Sequence, residues 1–281
     1  MPIISVLMGI YNENKIYASQ AIDSILNQTF SDFEFIICDD GSNPAFYRWL
    51  YGYCRKDKRI RLLRSSCNQG LAAALNNGLK CAEGKYVARM DADDISARER
   101  LARQYDFLEA HPEYALTGCS VRMTGKRGIW GMRIMEEIPT KESFLKTSPF
   151  VHPAIMIRMD AVKALHGYSE SKTAVRAEDY EFFMRLYAAG FRGYNLQEPL
   201  LSYREDESSL KKRKYRYRIH ECMVRYRGFC RLGILKGNYR YVAKPLIAGL
   251  VPAGWMMRIR KHRYAQTGKN RCKPERTGRK P

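Results

Sequence analysis

The sequence predicts an α/β fold: a mostly parallel sheet flanked by helices, followed by a basic and largely helical C-terminal extension. Three observations carry that expectation. Strand-like and helix-like runs alternate from Ile3 onward. The first, second and fourth strand-like runs each stop at a polar or acidic turn. Charge is divided unevenly, with 26 Lys/Arg and 24 Asp/Glu in residues 1–203 but 23 and 5 in residues 204–281.

The elements follow in order. Residues 3–10 (IISVLMGI) read as a buried strand, and 14–28 as a helix with apolar positions at Ile16, Ala21, Ile22, Ile25 and Leu26. A second strand at 33–38 runs into Asp39-Asp40-Gly41-Ser42. A helix near 44–56, a strand at 60–64, a helix at 70–82 and a strand at 85–90 complete the regular part. Beyond it a helix is expected at 98–110, strands with glycine turns within 114–135, and a strand at 154–158 followed by a short helix. An amphipathic helix at 178–189 turns Phe182, Phe183 and Leu186 inward and closes at Gly190.

With 45% hydrophobic residues, 281 residues suffice for one substantial core plus an appendage. Eight cysteines show no CxxC pair and no metal-ligand spacing, which fits a reducing compartment. Met1 leads directly into a strand pattern, so no signal peptide is expected.

The most informative stretch is YVARMDADD at 86–94, where an apolar strand meets Asp91, Asp93 and Asp94. Crowded carboxylates repel one another unless a cation sits among them. A divalent ion at the carboxyl end of a parallel sheet is one reading, and a helix-capping turn is the other. Tyr11-Asn12-Glu13 and Asp40-Gly41-Ser42 follow strands that would converge on the same edge. Tyr11 is suited to stacking on a nucleobase, and Glu13 and Asp40 to accepting hydrogen bonds from a ribose or base. Asp40-Gly41-Ser42 also reads simply as a helix-initiating turn. Glu178-Asp179 opens the amphipathic helix, where carboxylates complement the helix dipole. Facing the metal site, one of them would serve as a general base. His152, before Pro153, reads first as a structural hydrogen-bonding histidine and second as a catalyst.

In sequence order, IISVLMGIYNE, ILNQTFSDFEFIICDDGS, NQGLAAALNNG, ARMDADD, VHPAIMIR, GYSE and EDYEFFMRL resemble the inverting, nucleotide-sugar-dependent glycosyltransferase family 2 with the GT-A fold, over residues 3–204. The resemblance implies roles for individual residues. Tyr11 matches the aromatic that stacks on the base, Glu13 the acid near the nucleoside, and Asp40 the aspartate that reads the uracil edge. Asp93 matches the acid that binds Mn²⁺ or Mg²⁺, with Asp91 near the donor sugar or ribose and beside the same ion. Asp179, of the Glu178-Asp179 pair, matches the general base, and His152 a histidine on the acceptor side. Relatives carry an arginine shortly after the N-x-G pattern; here Leu71 and Ala72–Ala74 fill that stretch, leaving Arg204 as a substitute on the phosphates. The QxxRW signature of processive synthases is absent, which implies transfer of a single sugar.

These expectations divide the chain into a catalytic domain at 1–204, with a nucleotide-binding half to about 94 and an acceptor half at 95–204, and an extension at 205–281. The expected donor is a nucleotide-sugar, with UDP favoured. The expected acceptor is a glycan or lipid-linked glycan in cell-surface polysaccharide synthesis, and a polyprenyl-phosphate acceptor is the near alternative. In the extension, KKRKYRYR (211–218) and the apolar run 241–257 with Trp255 suggest contact with an anionic membrane, on the inner face of the cell membrane. A helical tail packed on the catalytic domain is the other reading. A nucleic-acid-binding protein would account for the basic tail but not for the ordered acids of residues 1–203. Residues 264–281 are expected to be disordered.

Overall fold

The computed structural model describes residues 1–205 and 215–271. Strand β1 (Ile4–Ile10) is buried except at Gly9. Its alternate side chains feed two cores. Val6 and Met8 join Ile22 and Ile25 of helix α1 (Lys15–Leu26) on one face, while Leu7 joins Leu75 of α3 (Leu71–Leu79) on the other. Local signals set the helix starts. The Asn14 side chain accepts the backbone N–H groups of Ile16 and Tyr17, and Asn43 with Pro44 begins α2 (Pro44–Cys54) in the same way.

Strands β2 (Phe33–Asp39), β3 (Ile60–Arg64) and β4 (Tyr86–Asp91) run parallel to β1 in the order β3-β2-β1-β4. The register decides where function gathers. Gly9 stands opposite both Cys38 and Asp91, and Ile10 opposite Asp39. The segments beginning at Tyr11, Asp40 and Ala92 therefore leave the sheet together, at one edge.

Past β4 the pairing becomes mixed. Strand β8 (Met156–Arg158) lies antiparallel to both β4 and β6 (Leu116–Gly125), and β7 (Gly128–Arg133) is a hairpin partner of β6. The strand expected at 154–158 starts only at Met156, because His152–Ala154 form a 3₁₀ turn around Pro153. The sequence reading had no strand at 193–204. The structure has a long one, β9 (Gly193–Arg204), parallel to β6 and bulged twice against it. It pairs at its far end with β5 (Ile95–Ser96), which returns the chain to the acidic loop. Helices α4 (Arg100–Ala110), α5 (Met159–Ala164) and α6 (Glu178–Ala188) complete this part.

The extension forms three helices, α7 (Arg216–Leu232), α8 (Tyr239–Leu250) and α9 (Ala253–Arg271). Helix α7 packs on α6, α8 on α7, and α9 on β7. Val224, Phe229, Leu232 and Met257 are buried in these contacts. The disorder expected from residue 264 is corrected as far as Arg271, which ends α9; residues 272–281 lie outside the described residues, as do 211–214 of KKRKYRYR. Because α7 is seated on α6, Phe229→Ala should destabilise the whole chain by about 3–5 kcal/mol. Urea unfolding followed by both circular dichroism and tryptophan fluorescence checks this. A main transition left unchanged would mean that the extension folds apart from the core.

Candidate active site

The acidic loop after β4 is held by arginines that the sequence does not advertise. Arg89, fully buried within the strand, places Nη2 2.6 Å from Asp91 Oδ1 and donates through Nη1 to the carbonyl of Met90. Arg100, also buried, donates to the carbonyls of Arg89 (3.0 Å) and Pro153 (2.8 Å), tying β4 to the turn that carries His152. From the end of β9, the Arg204 backbone N–H reaches Asp94 Oδ1 at 2.7 Å, and its Nε reaches the Asp93 carbonyl at 2.8 Å. The Arg204 guanidinium also lies 3.7 Å from the Tyr17 ring centroid and contacts Gln20. Arg204, expected on the donor phosphates, also fastens the acidic loop to α1.

Between these anchors, oxygens of Asp91, Asp93 and Asp94 lie within 4.8 Å of one another. Burial, then Asp91 and Glu13, push the Asp93 carboxyl up to about 7. Burial and the two neighbouring aspartates hold Asp94 well above the usual carboxylate range. Asp94 Oδ2 is buried and has no hydrogen-bond partner. Three converging carboxylates, raised proton affinities and an orphaned buried oxygen fit a hard divalent cation. The resemblance put the ion on Asp91 and Asp93; the structure groups Asp94 with them, as the crowding in the sequence suggested.

The neighbouring turns are cross-braced. Asn12, in the left-handed region at φ 46°, receives the side-chain and backbone N–H groups of Asn43 on Oδ1. Its own N–H goes to Ser42 Oγ. Asp40 is buried, and its two carboxylate oxygens accept the N–H groups of Gln69 (2.9 Å) and Gly70 (2.8 Å). Each oxygen keeps a second lone pair for a ligand. Gly41 cannot be replaced without movement here: at φ 75°, a β-carbon would stand 2.5 Å from the Cys67 carbonyl carbon. Tyr11, half exposed, and Asp40 line a cleft of about 340 Å³.

A second cavity of about 290 Å³ adjoins the first, the two sharing Leu71, Arg176 and Glu178. Asp91, His152, Glu178 and Asp179 line it; with Tyr11 and Asp40 in the first, sequence-predicted residues from five segments line two adjoining cavities, while Glu13, Asp93 and Arg204 line neither. Burial, then Asp179, raises the Glu178 proton affinity. His152 is buried, shares a 2.8 Å hydrogen bond with the Tyr168 hydroxyl, and is kept neutral by burial and by Arg89. That is the structural role read first from the sequence, in a position that also faces the cavity.

The sequence missed two contributors. Arg225 of α7 and Arg260 and Tyr264 of α9 close the second cavity, so the extension is part of its wall. Arg176, just before Glu178, lines both cavities and adopts φ 69°, a conformation disfavoured for a long side chain.

The raised Asp93 value gives a signed pH dependence. The folded chain holds a proton that an unfolded carboxyl, at 3.8, has released. Stability from this group is therefore present at low pH and lost as pH rises toward 7. A cation replaces the proton without competition only above that range. The Mn²⁺-induced rise in thermal midpoint should be larger at pH 8 than at pH 6 by about 3 °C. Comparing with and without Mn²⁺ at each pH cancels the opposite trend from His152, which costs stability as pH falls below its ordinary value of 6.5. Equal shifts at the two pH values would contradict the assignment.

The model of the family described as Glycosyl transferase family 2 matches residues 5–165, and that of Glycosyl transferase family group 2 matches residues 86–267. EpsE of Bacillus subtilis (strain 168), named as a glycosyltransferase, is 39% identical over 263 residues, covering 93% of this chain and 94% of its own. An Escherichia coli UDP-Gal:alpha-D-GlcNAc-diphosphoundecaprenol beta-1,3-galactosyltransferase is 29% identical, with 80% and 82% covered. Among solved structures, TarS of S. aureus in complex with UDP-GlcNAc superposes with a TM-score of 0.66 at 20% identity, covering 88% of this chain and 70% of that one. The mannosyltransferase PcManGT of Pyrobaculum calidifontis, in complex with GDP-Man and Mn²⁺, gives 0.62 at 19%, with 98% and 82% covered. These two share the GT-A architecture with the present fold. By its matched residues and its relatives, the chain belongs to glycosyltransferase family 2.

Proposed function

We propose that this glycosyltransferase moves one sugar from a nucleoside-diphosphate sugar, UDP first, to a hydroxyl of a glycan or lipid-linked glycan, with inversion at the anomeric carbon. One observation carries the reading: Asp91, one of three clustered aspartates, and the Glu178-Asp179 pair line one cavity from different elements. The relatives support it by what they handle. One has a UDP-galactose donor and a diphosphoundecaprenol-linked acceptor in its name, another is named for O-antigen biosynthesis, and the structural neighbours hold UDP-GlcNAc or GDP-Man.

Each residue then has a task. Tyr11 offers its exposed ring to the base, with Asp40 and Glu13 as acceptors for nucleoside donors. Asp91, Asp93 and Asp94 would hold Mn²⁺ or Mg²⁺, which when bound supplies Lewis-acid charge beside a departing diphosphate. Arg204 is a positioning residue for that loop. Arg176 takes the place of the arginine missing after Asn68-Gln69-Gly70 and faces the diphosphate from the junction of the two cavities. Asp179 accepts the proton of the attacking hydroxyl. A single displacement needs no protein nucleophile. Glu178 flanks Asp179, and neutral His152 keeps the acceptor-side wall in place through Tyr168.

The acceptor cavity favours a sugar hydroxyl over a polyprenyl phosphate. Its lining holds five carboxylates (Asp91, Glu178, Asp179, Glu205 and Glu221) against four arginines (Arg133, Arg176, Arg225 and Arg260), with Arg225 3.0 Å from Glu221 and Arg260 paired with Glu205. Matched pairs offer both donors and acceptors to hydroxyls but little cation surplus to a phosphate.

Asp93→Asn should remove Mn²⁺-dependent UDP binding, measured by calorimetry. Asp179→Asn should keep UDP binding and lower transfer about a thousandfold; retention of most activity would refute the base assignment. Arg176→Ala should weaken UDP about tenfold or more while leaving uridine unchanged. Equal losses for UDP and uridine would make Arg176 structural only.

A further inference from the structure

Nine of the sixteen large apolar side chains exposed on the described surface lie between Tyr215 and Ile259, so apolar exposure is concentrated on the extension. On α7, Ile219, Met223 and Tyr226, with Tyr215 just ahead of the helix, recur at helical spacing along one stripe. The buried residues Val224, Gly228 and Leu232 lie on the side that meets the core. The stripe continues onto the neighbouring helices. A β-carbon on Gly249 would stand 3.0 Å from the Tyr215 ring, which puts the last turn of α8 against the start of α7. Ile247 and Leu250 flank that contact on α8, at 69% and 74% exposure, and Trp255 and Ile259 follow on α9.

The charge around this face has one sign. Arg216, Arg240, Lys244, Arg258, Lys261 and Arg263 are exposed. Among the described residues after Glu205 the only acid is Glu221, and it is tied to Arg218 and Arg225. The rings of Tyr215, Tyr226 and Trp255 suit a base as well as a membrane interface, but the exposed Ile219, Met223, Ile247, Leu250 and Ile259 beside them, with arginine and lysine nearby, complement the surface of an anionic bilayer better.

We propose that α7, α8 and the start of α9 form a docking face for an anionic lipid bilayer. The apolar side chains reach the acyl boundary and the cations meet headgroup phosphates. No described helix is long and apolar enough to cross a membrane, and the contact proposed is one along its surface. The face has a consequence for the transfer reaction, and here the inference rests on the proposed acceptor. Helices α7 and α9 also supply Arg225, Arg260 and Tyr264 to the acceptor-side cavity, so docking sets that cavity beside the bilayer, within reach of a lipid-linked glycan.

The test uses the full chain and sedimentation with phosphatidylcholine vesicles, with and without phosphatidylglycerol. Deleting residues 205–281 would uncover the α6 contact and confuse unfolding with loss of docking, so surface substitutions are the better probe. Wild-type protein should pellet with the phosphatidylglycerol vesicles at low salt and less at high salt. The combined variant Ile247→Glu, Leu250→Glu, Trp255→Glu should bind them about tenfold more weakly or worse, with unchanged thermal midpoint and Mn²⁺-dependent UDP binding. Three results would overturn the proposal: pelleting of the variant like wild type; retention of poly-uridine RNA by a wild type that ignores vesicles; or a lipid-free dimer abolished by the same substitutions. Absence of UDP binding in wild type would instead count against the donor reading and leave docking standing.

Discussion

Electrostatic crowding at the end of β4 is the constraint around which the rest of the site is arranged. Three carboxylates within 4.8 Å of one another are unfavourable in a partly buried loop, and the fold both enforces and contains that crowding. Arg89 draws Asp91 to one side from inside the sheet, and the Arg204 N–H fixes Asp94 from another. Asp94 Oδ2 stays without a protein partner. Burial, and then the neighbouring carboxylates, raise the proton affinity of Asp93 and Asp94, a cost that a divalent cation at the proposed site would relieve more fully than a proton.

The mixed half of the sheet gives this loop its chemical surroundings. Strand β8, antiparallel to β4, returns the His152 turn to the acidic edge, and Arg100 locks the two together through the Arg89 and Pro153 carbonyls. Strand β9 delivers Arg204 to the loop and then leads toward the extension. The extension is consequently both wall and platform: α7 and α9 complete a cavity that opens onto Asp179, and exposed apolar side chains lie along α7, α8 and the start of α9. Acceptor selection and cellular placement would thus be linked by the same short segment.

Much of this was legible in the sequence where local chemistry and global role agree. Strands β1 to β4 show largely apolar runs bounded by turn residues, and their parallel direction follows from the helices between them. Tyr11, Asp40 and Asp93 are placed for the same reason, just past the ends of such strands, whereas Asp179 stands in the first turn of α6. Strand β9 was not, because GYNLQEPLLSYR carries Pro199, Gln197 and Glu198 and holds its place through two bulges against β6. Arg89 and Arg100 have no local signature; a buried arginine is recognised only once its carbonyl and carboxylate partners are in view. Arg176 is marked by a backbone angle that no spacing predicts. The apolar run 241–257 suggested an interfacial segment, but not that Pro245 would be buried within a helix, nor that the helices around it would wall the active site.

Calorimetric titration of Mn²⁺ into the chain at pH 7, repeated in buffers of different ionisation enthalpy, tests the central claim most directly. If cation and proton compete for the Asp91-Asp93-Asp94 cluster, each Mn²⁺ bound should release about one proton, and the release should vanish in Asp93→Asn. Binding with no proton release, or release unaffected by that substitution, would place the ion elsewhere and contradict the account.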